Sequence, residues 1–262
     1  MTADRMLASI ALALAALTAG APTGARAEEP AMDFNAMGGL GLITLEGPTG
    51  MFLNPTSGIM PKGKFTVESC MSFRNNAGDH STANAVLGVY GLTEWLEVGA
   101  LGLIVHGLDP AVVGSDEISS GQINARARLM KDTNDTPEVS VGAIGAWGDD
   151  PLTHQSIYIA ASKGYAFADG GFLTGIRFHG GVRETWQEVG DDVTTAYAGI
   201  EIGLPNHLYL VSEVNSKDNS NINTPYSVGV QYRNNGFGFS AAYLQTGDTT
   251  DPSAYVGIGI SY

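Results

Sequence analysis

Five arginines stand where polar and apolar residues alternate. Arg126 and Arg128 lie in "GQINARARLM", Arg177 in "GFLTGIRFHGGV" with His179 two residues on, Arg183 just beyond, and Arg233 in "YSVGVQYRNNGFGF". Arginine keeps its charge at any ordinary pH and presents a planar fork of donors, so such a set either receives carboxylate and phosphate groups or pairs with acids. The acids at matching positions are Glu68, Glu97, Glu201 and Glu213. The two chemistries differ in outcome: a lumen lined for small polar or anionic solutes, or a wall of ion pairs that fills a narrow interior.

Catalytic and metal chemistry find less support. The five histidines, His80, His106, His154, His179 and His207, are scattered, with no helical metal spacing and no cysteine partner. A Ser-His-acid set assembles in space and not in sequence, but His154 followed by Ser156 reads as a polar loop rim. Asp149-Asp150 and Asp191-Asp192 lack the spaced oxygen ligands of a calcium loop. Cys70, the single cysteine, reads as a small buried residue. No catalytic residue, metal or cofactor is expected.

The elements that must carry the arginines are strands. From Lys64 onward, period-two alternation predicts twelve of them: 64–73, 83–90, 95–106, 118–130, 138–147, 156–166, 171–182, 194–204, 207–215, 225–233, 237–245 and 254–262. Every second connection is a short turn rich in Gly, Asn, Asp and Pro, such as "GLTE" and "NNG". The others are longer and mostly acidic, such as "RNNAGDHST", "RETWQEVGDDV" and "SKDNSNINT". That rhythm predicts an all-β, closed antiparallel up-and-down transmembrane barrel of about twelve strands. The alternative is a soluble β domain with its apolar face inward. The last strand, "AYVGIGISY", places Val256, Ile258, Ile260 and Tyr262 on one face and ends on an aromatic. A terminus this apolar must be paired to be stable. Phe65, Phe73, Trp95, Trp147, Tyr232, Phe237 and Tyr243, near strand ends, suit interfacial girdles.

The start of the chain bears on location. Arg5, the apolar run Leu7 to Gly20 and "ARA" before Glu28 have the layout of a signal peptide, residues 1–27. Residues 28–63 then form an irregular segment: Pro48, Pro55 and Pro61 withdraw backbone donors, while Met51, Phe52, Leu53 and Met60 need cover. A plug or periplasmic cap is the expectation, a disordered linker the alternative. Residues 64–262 form the barrel. The net charge of −14 opposes a nucleic-acid partner, and one cysteine allows no internal disulfide.

The stretches "GLITLEGPTGMFLNPTSGIMPKGKFTVE" and "VYGLTEWLEVGA" resemble bacterial outer-membrane β-barrel proteins of the YjbH-like and phenol meta-pathway transporter types. The resemblance covers about sixty residues and the final strand. It implies a Gram-negative outer-membrane location, a porin-like role, and a C-terminal strand ending at Tyr262 that barrel-insertion machinery recognises. Members are linked to small-molecule uptake or to exopolysaccharide export, so a non-transporting barrel accessory to polysaccharide secretion stands beside the channel, and a barrel enzyme stands behind both. Mass spectrometry of the outer-membrane fraction should find Glu28 as the first residue, and retention of the Leu7 to Gly20 run refutes the export route.

Overall fold

The structure, a computed structural model, describes residues 43–262 apart from 45–46, 77–78, 109–114, 150–151, 168–170, 189–190, 218–222, 235 and 248–250. The expected signal peptide, Glu28 and Asp150 lie outside the described residues.

Twelve strands follow the alternation: β1 Phe65–Asn76, β2 Asp79–Gly91, β3 Leu96–His106, β4 Glu117–Met130, β5 Glu138–Gly148, β6 His154–Ala166, β7 Gly175–Gln187, β8 Val193–Leu204, β9 Leu208–Asn215, β10 Tyr226–Asn234, β11 Phe237–Gln245 and β12 Ser253–Ser261. Each pairs antiparallel with its neighbours in sequence, and β12 returns to β1, which closes the barrel. At the seam Thr66 faces Ser261 and Arg74 faces Ser253. Its end is sealed by Phe65 N–H donating to the Tyr262 carbonyl at 2.9 Å and Tyr262 N–H to the Phe65 carbonyl at 3.0 Å. Closure leaves no sheet edge in need of a partner.

Alternation then sorts the side chains. On β12 Val256, Ile258 and Ile260 are exposed outward while Tyr255, Gly257, Gly259 and Ser261 are buried inward. β10 repeats this, with Tyr226, Val228 and Val230 outside and Ser227, Gln231 and Arg233 inside. Ile123, Phe178, Leu210 and Phe239 continue the exposed apolar band. Aromatics gather towards both rims: Phe65 stacks on Tyr262 with ring centroids 5.5 Å apart, and Tyr226 lies 6.5 Å from Tyr243. A soluble barrel would hide this band; here it faces out, as hydrocarbon requires.

Two expectations change. "RNNAGDHST" is no loop, because β1 and β2 pair as far as Asn76 and Asp79 and leave only 77–78 between them. The ladder satisfies backbone donors whatever the side-chain polarity, so polar residues extend the strands past the apolar band. Similarly β7 starts later than expected and runs on through "RETWQ" to Gln187. The short-long rhythm is accordingly weaker than it reads, with 92–95, 131–137, 167–174, 205–207 and 235–236 on one rim. The other rim carries 77–78, 107–116, 149–153, 188–192, 216–225 and 246–252.

Val230→Arg, at mid-strand on the outer face, should lower stability in vesicles by roughly 2–4 kcal/mol, and Leu208→Arg, at the end of β9, by about 0–1 kcal/mol. Guanidinium titration of folded protein checks the depth dependence.

Candidate functional site

The inward face is a belt of buried charge, and the described residues of the irregular segment 43–60 lie against it. Glu97 on β3 and Arg126 on β4 are register partners. Both are fully buried, and Arg126 Nη2 donates to Glu97 Oε1 at 2.7 Å. The same guanidinium reaches the segment: Nη1 donates to the Thr49 carbonyl at 2.9 Å and also to the Thr56 carbonyl, while Nη2 also meets Thr49 Oγ1. Glu97 in turn accepts from Met60 N–H at 2.8 Å and from the Thr49 hydroxyl at 3.2 Å. Five donors at a fixed fork let one arginine bind a wall acid and two segment carbonyls together.

A second node lies on the next strands. Glu138, at the start of β5, bridges Arg128 at 3.1 Å and Arg177 at 2.6 Å, and accepts from Ser57 Oγ at 3.3 Å. The third joins β7, β8 and β10: Arg233 Nη2 to Glu201 at 2.5 Å, with His179 Nε2 at 3.4 Å from the same carboxylate. Arg233 also lies 4.6 Å over the Tyr209 ring. Removing a charge from water is costly unless the charge is paired, and each arginine and glutamate of these nodes has an ion-pair partner.

Glu213 and Glu68 hold the segment differently. Glu213 accepts the N–H groups of Phe52 at 2.9 Å, Leu53 at 2.7 Å and Asn54 at 3.0 Å, with Asn54 Nδ2 and Ser227 Oγ each at 2.7 Å. Glu68 accepts Ile43 N–H at 2.8 Å and the Tyr255 hydroxyl at 3.0 Å. A chain too proline- and glycine-rich to join a ladder still has amides to satisfy, and wall carboxylates satisfy them. Apolar packing completes the fit. Met51, Phe52 and Met60 join a cluster with Leu87, Leu101 and Tyr197, Phe52 meets Tyr255 edge-on at 5.7 Å, and the Tyr197 hydroxyl donates to the Pro55 carbonyl at 3.0 Å. At Gly199 a Cβ would sit 2.2 Å from Met51 Sδ, so the end of the methionine packs into the space that the glycine leaves.

Of the residues singled out in the sequence, Glu68, Glu97, Arg126, Arg128, Arg177, His179, Glu201, Glu213 and Arg233 belong to this belt. Arg183 is also on the inward face, in register with Tyr158 and Thr195 and nearer the opposite rim. Glu138 was missed, although it shares the small and polar face of "EVSVGAIGAW" with Ser140 and Gly142. The segment's contribution through Thr49, Asn54, Thr56 and Ser57 was also missed, since no periodicity marks it. The other histidines stay apart: His106 meets Glu117 at 2.9 Å on the surface, and His154 bonds the Leu152 carbonyl. Asp149 caps Ser119 N–H at 2.7 Å. Among the described residues no group of His, Cys, Asp or Glu is arranged to hold a metal.

One chain does resemble a catalytic relay. Ser162 Oγ lies 2.8 Å from His179 Nδ1, and His179 lies 3.4 Å from Glu201. Ser162 has no exposure, its oxygen accepts Ser57 N–H, and Glu201 is committed to Arg233. A nucleophile sealed on its attacking side serves as a structural hydroxyl.

Glu97→Gln should strand the Arg126 charge and cost roughly 3–5 kcal/mol in urea titration, against about 0–1 kcal/mol for Glu117→Gln in the exposed pair with His106. Comparable losses at the two sites overturn the view that the belt is paired and dry.

No family model matches the chain, and no curated protein matches it. Among solved structures it is similar to KdgM porin, with a TM-score of 0.52 and 9% identity over 75% of this chain and 98% of that one. It is likewise similar to KdgM porin in complex with disordered oligogalacturonate, with a TM-score of 0.51 and 10% identity over 76% of this chain and 98% of the other. At such identities the likeness is one of architecture: the chain has the barrel fold of a porin.

Proposed function

We propose that the protein is an outer-membrane barrel of porin-like type that passes small polar or anionic solutes when residues 43–60 leave the lumen. The exposed apolar band, the aromatic rims and the fold shared with KdgM porin support an outer-membrane location in a Gram-negative envelope. Tyr262 then ends the strand offered to the insertion machinery, and outer-membrane lipid surrounds the band.

The observation that carries the channel reading is how the segment is held. Its bridges are Ile43 with Thr49 and Gly50 with Pro55, both internal, and Lys62 with Gly91 at the rim. Among the described residues none joins 43–60 to the wall, where side chains do the holding: carboxylates and Arg126, with Tyr197 and Ser162. The wall's own ladder is complete without the segment. On its departure the Thr49 and Thr56 carbonyls leave Arg126, whose donors then face the lumen. Arginine in a low-dielectric tube draws anions strongly, because the wall focuses the field.

The pairing of Arg126, Arg128, Arg177 and Arg233 favours a second reading, in which the lumen stays filled. The protein is then a non-transporting barrel, structural or accessory to exopolysaccharide secretion, the role implied by the YjbH-like resemblance. Neither reading is enzymatic.

A reversible cross-link separates them. In a Cys70→Ser background, Met51→Cys with Gly199→Cys joins the segment to β8. In planar bilayers the oxidised protein should be silent. The reduced protein should conduct with an anion-selective reversal potential that Arg126→Ala weakens. Selectivity should fade near 1 M salt, where the Debye length is about 3 Å. Conductance near zero in both redox states, and also after deletion of 43–60, establishes the non-transporting barrel.

A further inference from the structure

The acids of the inward face are of two kinds. Glu97, Glu138 and Glu201 each pair with an arginine of the wall. Glu213 and Glu68 form no ion pair among the described residues, and the donors aimed at them are neutral. Glu213 Oε1 accepts the N–H groups of Phe52 and Leu53 and the Ser227 hydroxyl, while Oε2 accepts the N–H and Nδ2 of Asn54. Glu68 Oε2 accepts Ile43 N–H, and its Oε1 accepts the hydroxyls of Tyr255 and Ser240. The described residues of 43–60 carry no charged side chain of their own.

The difference decides what a proton does. On Glu97, Glu138 or Glu201 it strands a guanidinium, whereas on Glu213 or Glu68 every ion pair of the wall survives. Whichever oxygen of Glu213 takes the proton, two N–H groups of the segment lose a charged acceptor there. Charge-assisted hydrogen bonds are roughly twice as strong as neutral ones, so the hold weakens. The titratable and charged groups that face Glu213 are Arg183 on β7 and Tyr197 on β8. Those that face Glu68 are Cys70 on its own strand, Tyr255 on β12 and Arg233 on β10. None of these residue types titrates in water between about pH 4 and pH 7. Histidine does, but His179 bonds Glu201 and Ser162 and not the segment.

The segment also has a fixed foot. Gly63 N–H donates to the Gly91 carbonyl at 2.8 Å, and Gly91 N–H to the Lys64 carbonyl at 2.9 Å, which pins the chain at the rim. Gly63, at φ +76° with open space where a Cβ would stand, leaves room to pivot at that foot.

We propose that residues 43–60 are an acid-released strap: protonation of Glu213 and Glu68 weakens the hold on Ile43, Phe52, Leu53 and Asn54, and the strap turns out of the lumen about Gly63 while the strand ladder stays intact. This rests on the reading that 43–60 can leave the lumen, and it adds what triggers the departure. Arg126 and Glu97 keep their grip on Thr49, Thr56 and Met60. Acid therefore raises the population outside the lumen and does not expel the strap outright.

Amide hydrogen exchange of the full chain in detergent, read by mass spectrometry near pH 7 and near pH 4 and corrected for intrinsic rates, tests the strap directly. Peptides spanning 51–54 should lose protection by about tenfold in acid, while peptides from β10 keep theirs. Glu213→Gln should show the low protection already at neutral pH and respond less to acid. Conductance in planar bilayers is read at the same two pH values. Strap release in acid without current upholds the switch and makes the barrel non-transporting. Current at both pH values with unchanged protection upholds the channel and overturns the switch. Equal protection at the two pH values, an equal loss in β10, or a response kept in Glu213→Gln but lost in His179→Gln also overturns it.

Discussion

Among the described residues Arg126 is the largest side chain with essentially no exposure, and a guanidinium cannot shed its charge to ease burial. The surroundings must therefore answer it, and they do so from two sources: Glu97 on the neighbouring strand and the carbonyls of Thr49 and Thr56 from a part of the chain that joins no strand. That single demand ties wall to segment. The nodes at Glu138 and Glu201 repeat the arrangement, each acid shared between two basic groups on other strands.

The irregular segment presents the converse need. Its prolines and glycines bar it from a ladder, so its amides look for acceptors that a sheet would otherwise supply. Glu213, Glu68 and Glu97 supply them. A wall of arginines alone would repel itself, and a wall of glutamates alone would as well. Interleaved, and with a strip of polypeptide offering donors on some atoms and acceptors on others, both signs are accommodated in a space only a few side chains wide.

The wall was legible in the sequence because period two is written into every strand. Parity alone divides the side chains of β4, β10 and β12 into two sets, which a one-residue slip would have exchanged, while the closing aromatic and the loop rhythm pointed to the set that faces out. Strand ends were less legible. In "RNNAGDHST" the residue types of a loop continue a ladder, since backbone pairing above the apolar band is indifferent to polarity. The arginines and four of the five acids of the belt could be named beforehand, but not their partners. Pairing depends on which strands are neighbours and on depth along the barrel axis, and Glu138 shows how one acid at a strand start can bind arginines from both sides. The role of Thr49, Thr56 and Ser57 had no periodic signature to read.

The separation in sequence between the segment and its holders has a bearing on the order of events in folding. Phe52 donates to a carboxylate 161 positions later in the chain, and Ile43 to one only 25 positions away. The amides of Phe52, Leu53 and Asn54 therefore stay with water until β9 has taken its place among the strands. Loop-closure entropy makes such distant contacts late ones. Filling of the interior thus belongs to the last stage of assembly, and a barrel that stalls before its seam meets carries its most charged surface unprotected. The timing makes the Phe52 to Glu213 contact a natural reporter of completed assembly.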